Sequence, residues 1–255
     1  MIIKAMSFNL RLQTEHDGIN EFSKRYPRAF EVVKNESPDV IGFQEVTDYM
    51  RSVIEENLTD YTFVGCGRDS DYHGECMLIG YKKDFILVGL ENVWYSNTPS
   101  IAGSRYVDID QSGCPRMYTT ALLKHKDVKK PFRFINTHFD HSGEIARYLE
   151  ALQLTKAIKS YPEHFILTGD FNATPESREM VQITRAFDNR PVIDCTCDIG
   201  PTFHSYFQLP PEERVKIDYI FTDMKCKGAY AIPDPCTDGL CYSDHNAVCA
   251  LIELE

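Results

Sequence analysis

The chain has 255 residues, 43% apolar and 25% charged, an ordinary globular composition with enough apolar residues for a substantial core. A formal charge of −11 excludes the broad basic surface that salt-driven binding to nucleic acid requires, but not a phosphorylated substrate held where a bound cation supplies a local positive field. Nine scattered cysteines without a C-x-x-C pair exclude a zinc ribbon or thioredoxin-like site and fit mostly reduced thiols; with no long apolar run, the expectation is a soluble, cytoplasmic protein without stable membrane association.

Taken in order, Ile2 to Phe8 reads as a strand with Asn9 at its exit, followed by a polar stretch and a turn at Asp17-Gly18. Tyr26, Ala29, Phe30 and Val33 recur at helical spacing until Ser37-Pro38 ends the pattern. Val40 to Phe43 is a second strand closed by Gln44-Glu45, and Met50 to Leu58 a second helix. Cys76 to Tyr81 and Phe85 to Val88 read as paired strands about Lys82-Lys83-Asp84. Ser96 to Gln111 is a loop, and Trp94-Tyr95 before it belongs to the core. Tyr118 to Leu123 and Phe132 to Asn136 form a hairpin whose basic tip, Lys124 to Lys130, is solvated. Ile145, Leu149 and Leu152, joined by Tyr148 and Ala151, mark a long helix through about Ser160. Phe165 to Leu167 is a buried strand that leads through Thr168 and Gly169 to Asp170 and Asn172. Ile217 to Phe221 and Val248 to Leu254 are the last strands. Alternating strands and helices at the start and hairpins in the middle exclude a purely parallel sheet. With no repeat or linker, residues 1–255 read as one mixed α/β domain.

Polar groups gather at the strand exits: Asn9, Glu45, His138, Asp170, Asn172, Asp244 and His245, with Asp218 inside a strand. Any one of them alone is more simply a turn residue or a satisfied core polar group. Together, carboxylates, carboxamides and imidazoles fit an oxygen-rich site for a hard cation, Mg²⁺ with Mn²⁺ as substitute. Such a site without a glycine-rich Walker loop suits hydrolysis of a phosphate ester. Glu45 would hold the metal, Asp170 would orient and deprotonate a water, and His245, fixed by Asp218, would steady the charge on the phosphate.

Ser7-Phe8-Asn9, Gln44-Glu45, Thr137-His138, Gly169-Asp170-Phe171-Asn172, Ile217-Asp218-Tyr219-Ile220 and Ser243-Asp244-His245 stand in the order found in the endonuclease/exonuclease/phosphatase superfamily. The chain resembles that superfamily from Asn9 to His245. The resemblance implies a four-layered α/β sandwich, two mixed sheets packed face to face with helices outside. It also implies that Asn9 and Asp244 join Glu45 near the metal, that Asn172 binds phosphate, and that His138 is the second histidine of the deoxyribonuclease-like branch. The stretch Gly113-Cys114-Pro115-Arg116 is similar to small bacterial members of unassigned substrate, which adds Arg116 as a phosphate contact and His73 and Glu75 as pocket residues. Phe203 is expected to pack and His204 to sit at the rim.

The function expected is Mg²⁺-dependent hydrolysis of a phosphate ester, a diester, monoester or nucleic acid, and the negative charge favours a small molecule over nucleic acid. A binding module that kept the fold and lost the chemistry is the alternative, but every acid and imidazole position holds a competent residue. A cysteine phosphatase is excluded because no cysteine has an arginine six positions later.

Overall fold

A computed structural model describes residues 1–187 and 190–254. The chain runs β1 (Ile2–Asn9), α1 (Phe22–Glu36), β2 (Val40–Val46), α2 (Asp48–Asn57), β3 (Tyr61–Val64), β4 (Cys76–Lys82), β5 (Phe85–Trp94), β6 (Met117–His125) and β7 (Phe132–His138). It continues with α3 (Glu144–Ser160), β8 (His164–Asp170), α4 (Arg178–Arg185), β9 (Ile193–Asp194), β10 (Asp218–Thr222), β11 (Lys225–Ala231) and β12 (Val248–Glu253). One six-stranded sheet has the order β11-β12-β1-β2-β4-β3 and the other β5-β6-β7-β8-β10-β9. Both are mixed. The β1–β2 and β7–β8 pairs are parallel, each bridged by a helix, and the other ladders are antiparallel.

Side-chain alternation builds the layers. On β1, Met6 and Phe8 face the helix layer with Phe30 and Val33 of α1 and Met50 and Ile54 of α2. On β8, Phe165 and Leu167 face Leu154 and Ile158 of α3 and Ile183 of α4. The opposite faces meet between the sheets: Ile3, Ala5, Val40, Phe134, Ile166, Ile220 and Val248 share one cluster. Apart from Ala5, each such side chain contributes roughly 1.5–3 kcal/mol when fully buried. The result is helix, sheet, sheet, helix.

The face between the sheets changes character along its length. Ile3 and Ala5 give way to Ser7 and Asn9, Phe134 to Asn136 and His138, and Ile166 to Thr168 and Asp170, with Asp218 two residues before Ile220. Register aligns these polar ends: Asn9 lies opposite Gln44, and Asp170 lies between His138 and Asp218. Beneath them, Gln44 Nε2 donates to Asn136 Oδ1 at 2.6 Å, and Asn136 Nδ2 donates to the carbonyls of Phe43 (2.7 Å) and Leu78 (3.2 Å) across the sheet interface.

The strands on either side of Lys82-Lys83-Asp84 do not pair as expected. The turn carries the chain from one sheet to the other: β4 lies between β2 and β3, and β5 pairs with β6 at the opposite sheet's edge. The strands β3, β9 and β11 and the helix α4 carried no signal strong enough to read from sequence. Cys236 and Cys241 form a disulfide that spacing had not indicated, while the other seven cysteines are free. No described helix is long and apolar enough to cross a membrane.

Candidate active site

The polar ends of both sheets open into a cleft of about 600 Å³. Asp170, at the tip of β8 and 2% exposed, is its centre. One carboxylate oxygen, Oδ1, accepts the Asn172 N–H at 2.9 Å. The other, Oδ2, accepts the Asn9 amide at 2.9 Å and lies 3.5 Å from His138 Nε2 and 3.7 Å from His245 Nε2. Burial, reinforced by the nearby Asp218, pushes the Asp170 carboxyl up to about 7, against the pull of His245 and the Asn172 and Asn9 hydrogen bonds.

Glu45 reaches the same point by a break in its strand. Pairing with β4 shifts between Phe43 and Val46, and Glu45 takes a left-handed backbone with φ 62°. This local irregularity re-aims the side chain into the cleft, at a strain cost of about 1–3 kcal/mol. Glu45 Oε1 accepts the Asn9 amide at 3.0 Å and Oε2 the Leu12 N–H at 2.8 Å. Burial alone would raise this carboxyl. The Leu12 and Asn9 hydrogen bonds, with the charges of Arg11 and His245, outweigh it and hold Glu45 below the usual carboxylate range.

His245 Nδ1 lies 2.8 Å from Asp218 Oδ2, and both residues are buried. Burial opposes a charged ring, but Asp218, followed by Asp244 and Asp170, raises His245 to about 10, so it stands as an imidazolium with Nε2 toward Asp170. Two N–H groups, of Ile217 and Asp218, converge on Thr202 Oγ1 and fix the start of β10 (3.1 Å each). His138 is the opposite case: burial, then Arg116 and Arg68, hold it far below its ordinary value and neutral.

Asn9, Glu45, His138, Asp170, Asn172, Asp218, Asp244 and His245 are thus brought together from six separate chain segments. Two of them, Asn9 and Asn172, are held by other groups of the site. Asn9 Oδ1 accepts the Arg11 N–H at 2.8 Å, so its amide nitrogen, a donor, bridges Glu45 and Asp170. The Asn172 amide nitrogen is engaged by His138 Nε2 (3.0 Å) and the Phe139 carbonyl (3.1 Å), so it orients His138. Asp244 lines the cleft 3.9 Å from Arg11 Nε.

Arg116 lines the cleft too, only 4% exposed. Its Nη2 meets His141 Nδ1 at 2.7 Å and its Nε lies 3.7 Å from Asp140, leaving Nε and Nη1 without a hydrogen-bond partner. Glu75 forms part of the wall and is tied to Arg68 by two hydrogen bonds. His73 does not reach the cleft. Its side chain is 68% exposed and pairs with Asp48, in the first turn of α2, at 2.9 Å, so the expectation for it is corrected. Phe203 packs on the His245 ring (centroids 4.9 Å apart). His204 is not a rim residue: it is buried and stacks on Phe207 at 4.0 Å.

Sequence reasoning missed Arg11, Arg68, Ser205, Tyr206 and Gln208, all of which line the cleft. They stand in irregular loops whose return to the site no local periodicity announces.

The donor set fits a hard divalent cation. Glu45, His138 and Asp170 each present a ligand atom within 4.8 Å of the others. Burial raises the Asp244 carboxyl and the charge of Glu45 raises it further, against His245 and Arg11, a crowding of acids that a cation would relieve.

A sequence model of the endonuclease/exonuclease/phosphatase family matches residues 6–245. The chain belongs to this family. An endonuclease/exonuclease/phosphatase from Bacteroides vulgatus is similar at 30% identity and TM-score 0.92, with 100% of both chains covered. A mannosyl-6-phosphatase of Bacteroides thetaiotaomicron is 26% identical with TM-score 0.87, covering 98% of this chain and 100% of that one. TDP2 of D. rerio, complexed with a single-strand DNA product, shares the fold at 15% identity and TM-score 0.78 over 99% of each chain. No curated protein matches the sequence. The endonuclease/exonuclease/phosphatase family is one of phosphoester hydrolases, and the two-sheet architecture described above is its fold.

Proposed function

We propose that the chain is a divalent-cation-dependent hydrolase of phosphate esters whose substrate is a small phosphorylated molecule. The observation that carries this reading is the buried carboxylate of Asp170, flanked within 3.7 Å by His138 and His245 and tied through Asn9 to Glu45. Glu45 would anchor the cation, with Asp170 and His138 near enough to join it and Asp244 lining the same cleft. When bound, Mg²⁺, or Mn²⁺ in its place, supplies Lewis-acid polarisation of a phosphate oxygen.

The protein's own groups do the rest. Asp170 orients a water and takes its proton as the water oxygen bonds to phosphorus. The ester P–O bond breaks, its electron pair leaves on the alcohol oxygen, and that oxygen takes a proton from solvent. His245 donates from Nε2 to the phosphate, and Asp218 holds the ring in position for it. Arg116, whose buried Nε and Nη1 lack a hydrogen-bond partner, supplies a charge-assisted contact to a phosphate oxygen.

A cleft of about 600 Å³ and a net charge of −11 favour a small molecule over a nucleic-acid strand. The similar mannosyl-6-phosphatase supports the same choice. A panel of phosphomonoesters, phosphodiesters and oligonucleotides, assayed in Mg²⁺, in Mn²⁺ and in chelator, tests the reading. Metal-dependent turnover of small esters is expected; absence of turnover across the panel would leave only a binding module.

A further inference from the structure

Ser205, Tyr206 and Phe207 occupy the left-handed backbone region in succession, with φ of 48°, 55° and 60°. None is a glycine or asparagine, the residues that adopt this conformation readily. Such a turn persists only where its surroundings hold it, and the surroundings here are the catalytic loop itself. The Asp244 carbonyl accepts the N–H groups of His204 and Ser205 at 3.0 and 3.2 Å, and Gln208 N–H returns to the Ser205 carbonyl at 2.9 Å. Phe207 N–H donates to Nδ1 of the buried His204, and Tyr206 Oη donates to Asp17 at 2.9 Å.

This arrangement points Ser205, Tyr206 and Gln208 into the lining of the cleft, beside His245. The aromatic groups there are already engaged: Phe203 by His245, Phe207 by His204, and the Tyr206 hydroxyl by Asp17. Among the described residues, the Ser205 hydroxyl and the Gln208 carboxamide make no side-chain hydrogen bond to the protein. Both can donate and accept.

We infer that the left-handed turn reads the alcohol released from the phosphate, and that this alcohol is polyhydroxylated. The inference rests on the hydrolase reading above. Ser205 is half-buried and Gln208 exposed at the cleft mouth, so neighbouring hydroxyls on a sugar or polyol have both a hydroxyl and a carboxamide to pair with, whereas an aryl or alkyl group offers neither a partner. Discrimination therefore resides in Ser205 and Gln208, apart from the groups that handle the phosphate.

The test compares glucose 6-phosphate with p-nitrophenyl phosphate in Mg²⁺ for the wild type, Ser205→Gly, Gln208→Ala and the double variant. Glycine removes the hydroxyl and accepts the positive φ, so the turn is kept, which an unchanged melting profile verifies. The sugar-to-aryl ratio of kcat/KM is expected to fall at least about tenfold in the double variant. Free glucose should inhibit the wild type more strongly than that variant. A ratio constant within about twofold overturns the inference, as does faster hydrolysis of a short oligonucleotide than of the sugar phosphate; both leave hydrolysis standing. Wild-type turnover of neither monoester nor oligonucleotide removes the hydrolase reading and the inference with it.

Discussion

Replacing Gly42 by alanine probes a point of close approach between the two sheets beneath the site. A Cβ at this position of β2 would overlap Thr168 Oγ1 and Asn136 Oδ1 of the opposite sheet. Asn136 cannot move freely, because its oxygen takes the Gln44 amide and its nitrogen serves the Phe43 and Leu78 carbonyls. Overpacking costs about 1–3 kcal/mol. Displacing one of those buried hydrogen bonds adds about 1–3 kcal/mol for the group left unpaired. Roughly 2–6 kcal/mol is therefore expected from a total stability that is typically about 5–15. Urea unfolding followed by far-UV circular dichroism reads the difference directly. Gly200→Ala is the control, since an added Cβ there meets nothing within 4 Å. If Gly42→Ala proved as stable as Gly200→Ala, the close approach of the sheets, and the polar network that supports Asn9 and Glu45, would be refuted.

Three further outcomes follow from the geometry. Arg116→Ala should raise KM about 10- to 100-fold for a phosphate ester, the loss of one charge-assisted contact, and an unchanged KM in steady-state kinetics would count against that contact. Asp218→Asn should lower kcat about 100-fold or more by depriving His245 of its partner at 2.8 Å, with KM changing less, and single-turnover rates check this. Glu150, buried and raised by that burial to about 8 from 4.5, gives stability that is fully present below about pH 4.5 and is lost as pH rises through 8. Glu150→Gln should flatten that loss, worth on the order of several kcal/mol, and chemical denaturation at pH 5 and pH 9 would show no difference between the proteins if the carboxyl were already ionised.

The core of the site was legible in the sequence because strand exits carry it. Once Phe165-Ile166-Leu167 is read as a buried strand, Asp170 must stand at its tip, and the same logic holds for Asn9 and His138, while Asp218 opens its strand rather than leaving it. Glu45 was legible for its type, but the backbone break that turns it into the cleft leaves no mark on Gln44-Glu45. The loops resisted. His73 was drawn to Asp48 on the surface, and Arg68 to Glu75 in the wall, by long-range charge pairing that spacing does not encode. The crossing at Lys82-Lys83-Asp84 reads like a hairpin because a short polar turn between two apolar runs is the same whether the strands pair or part. The β11 segment, Lys225-Cys226-Lys227-Gly228, is too polar to announce a strand and is held by its ladder to β12. The left-handed turn at Ser205 to Phe207 lacks the glycine or asparagine that would have signalled it.

The turnover of Asp170→Asn tests the role of this carboxylate most directly. Against a small phosphomonoester in saturating Mg²⁺, this variant should lose kcat by about 100-fold or more while remaining folded, as an unchanged far-UV circular dichroism spectrum verifies. Near wild-type kcat in a folded Asp170→Asn protein would mean that the carboxylate between His138 and His245 does not activate the attacking water.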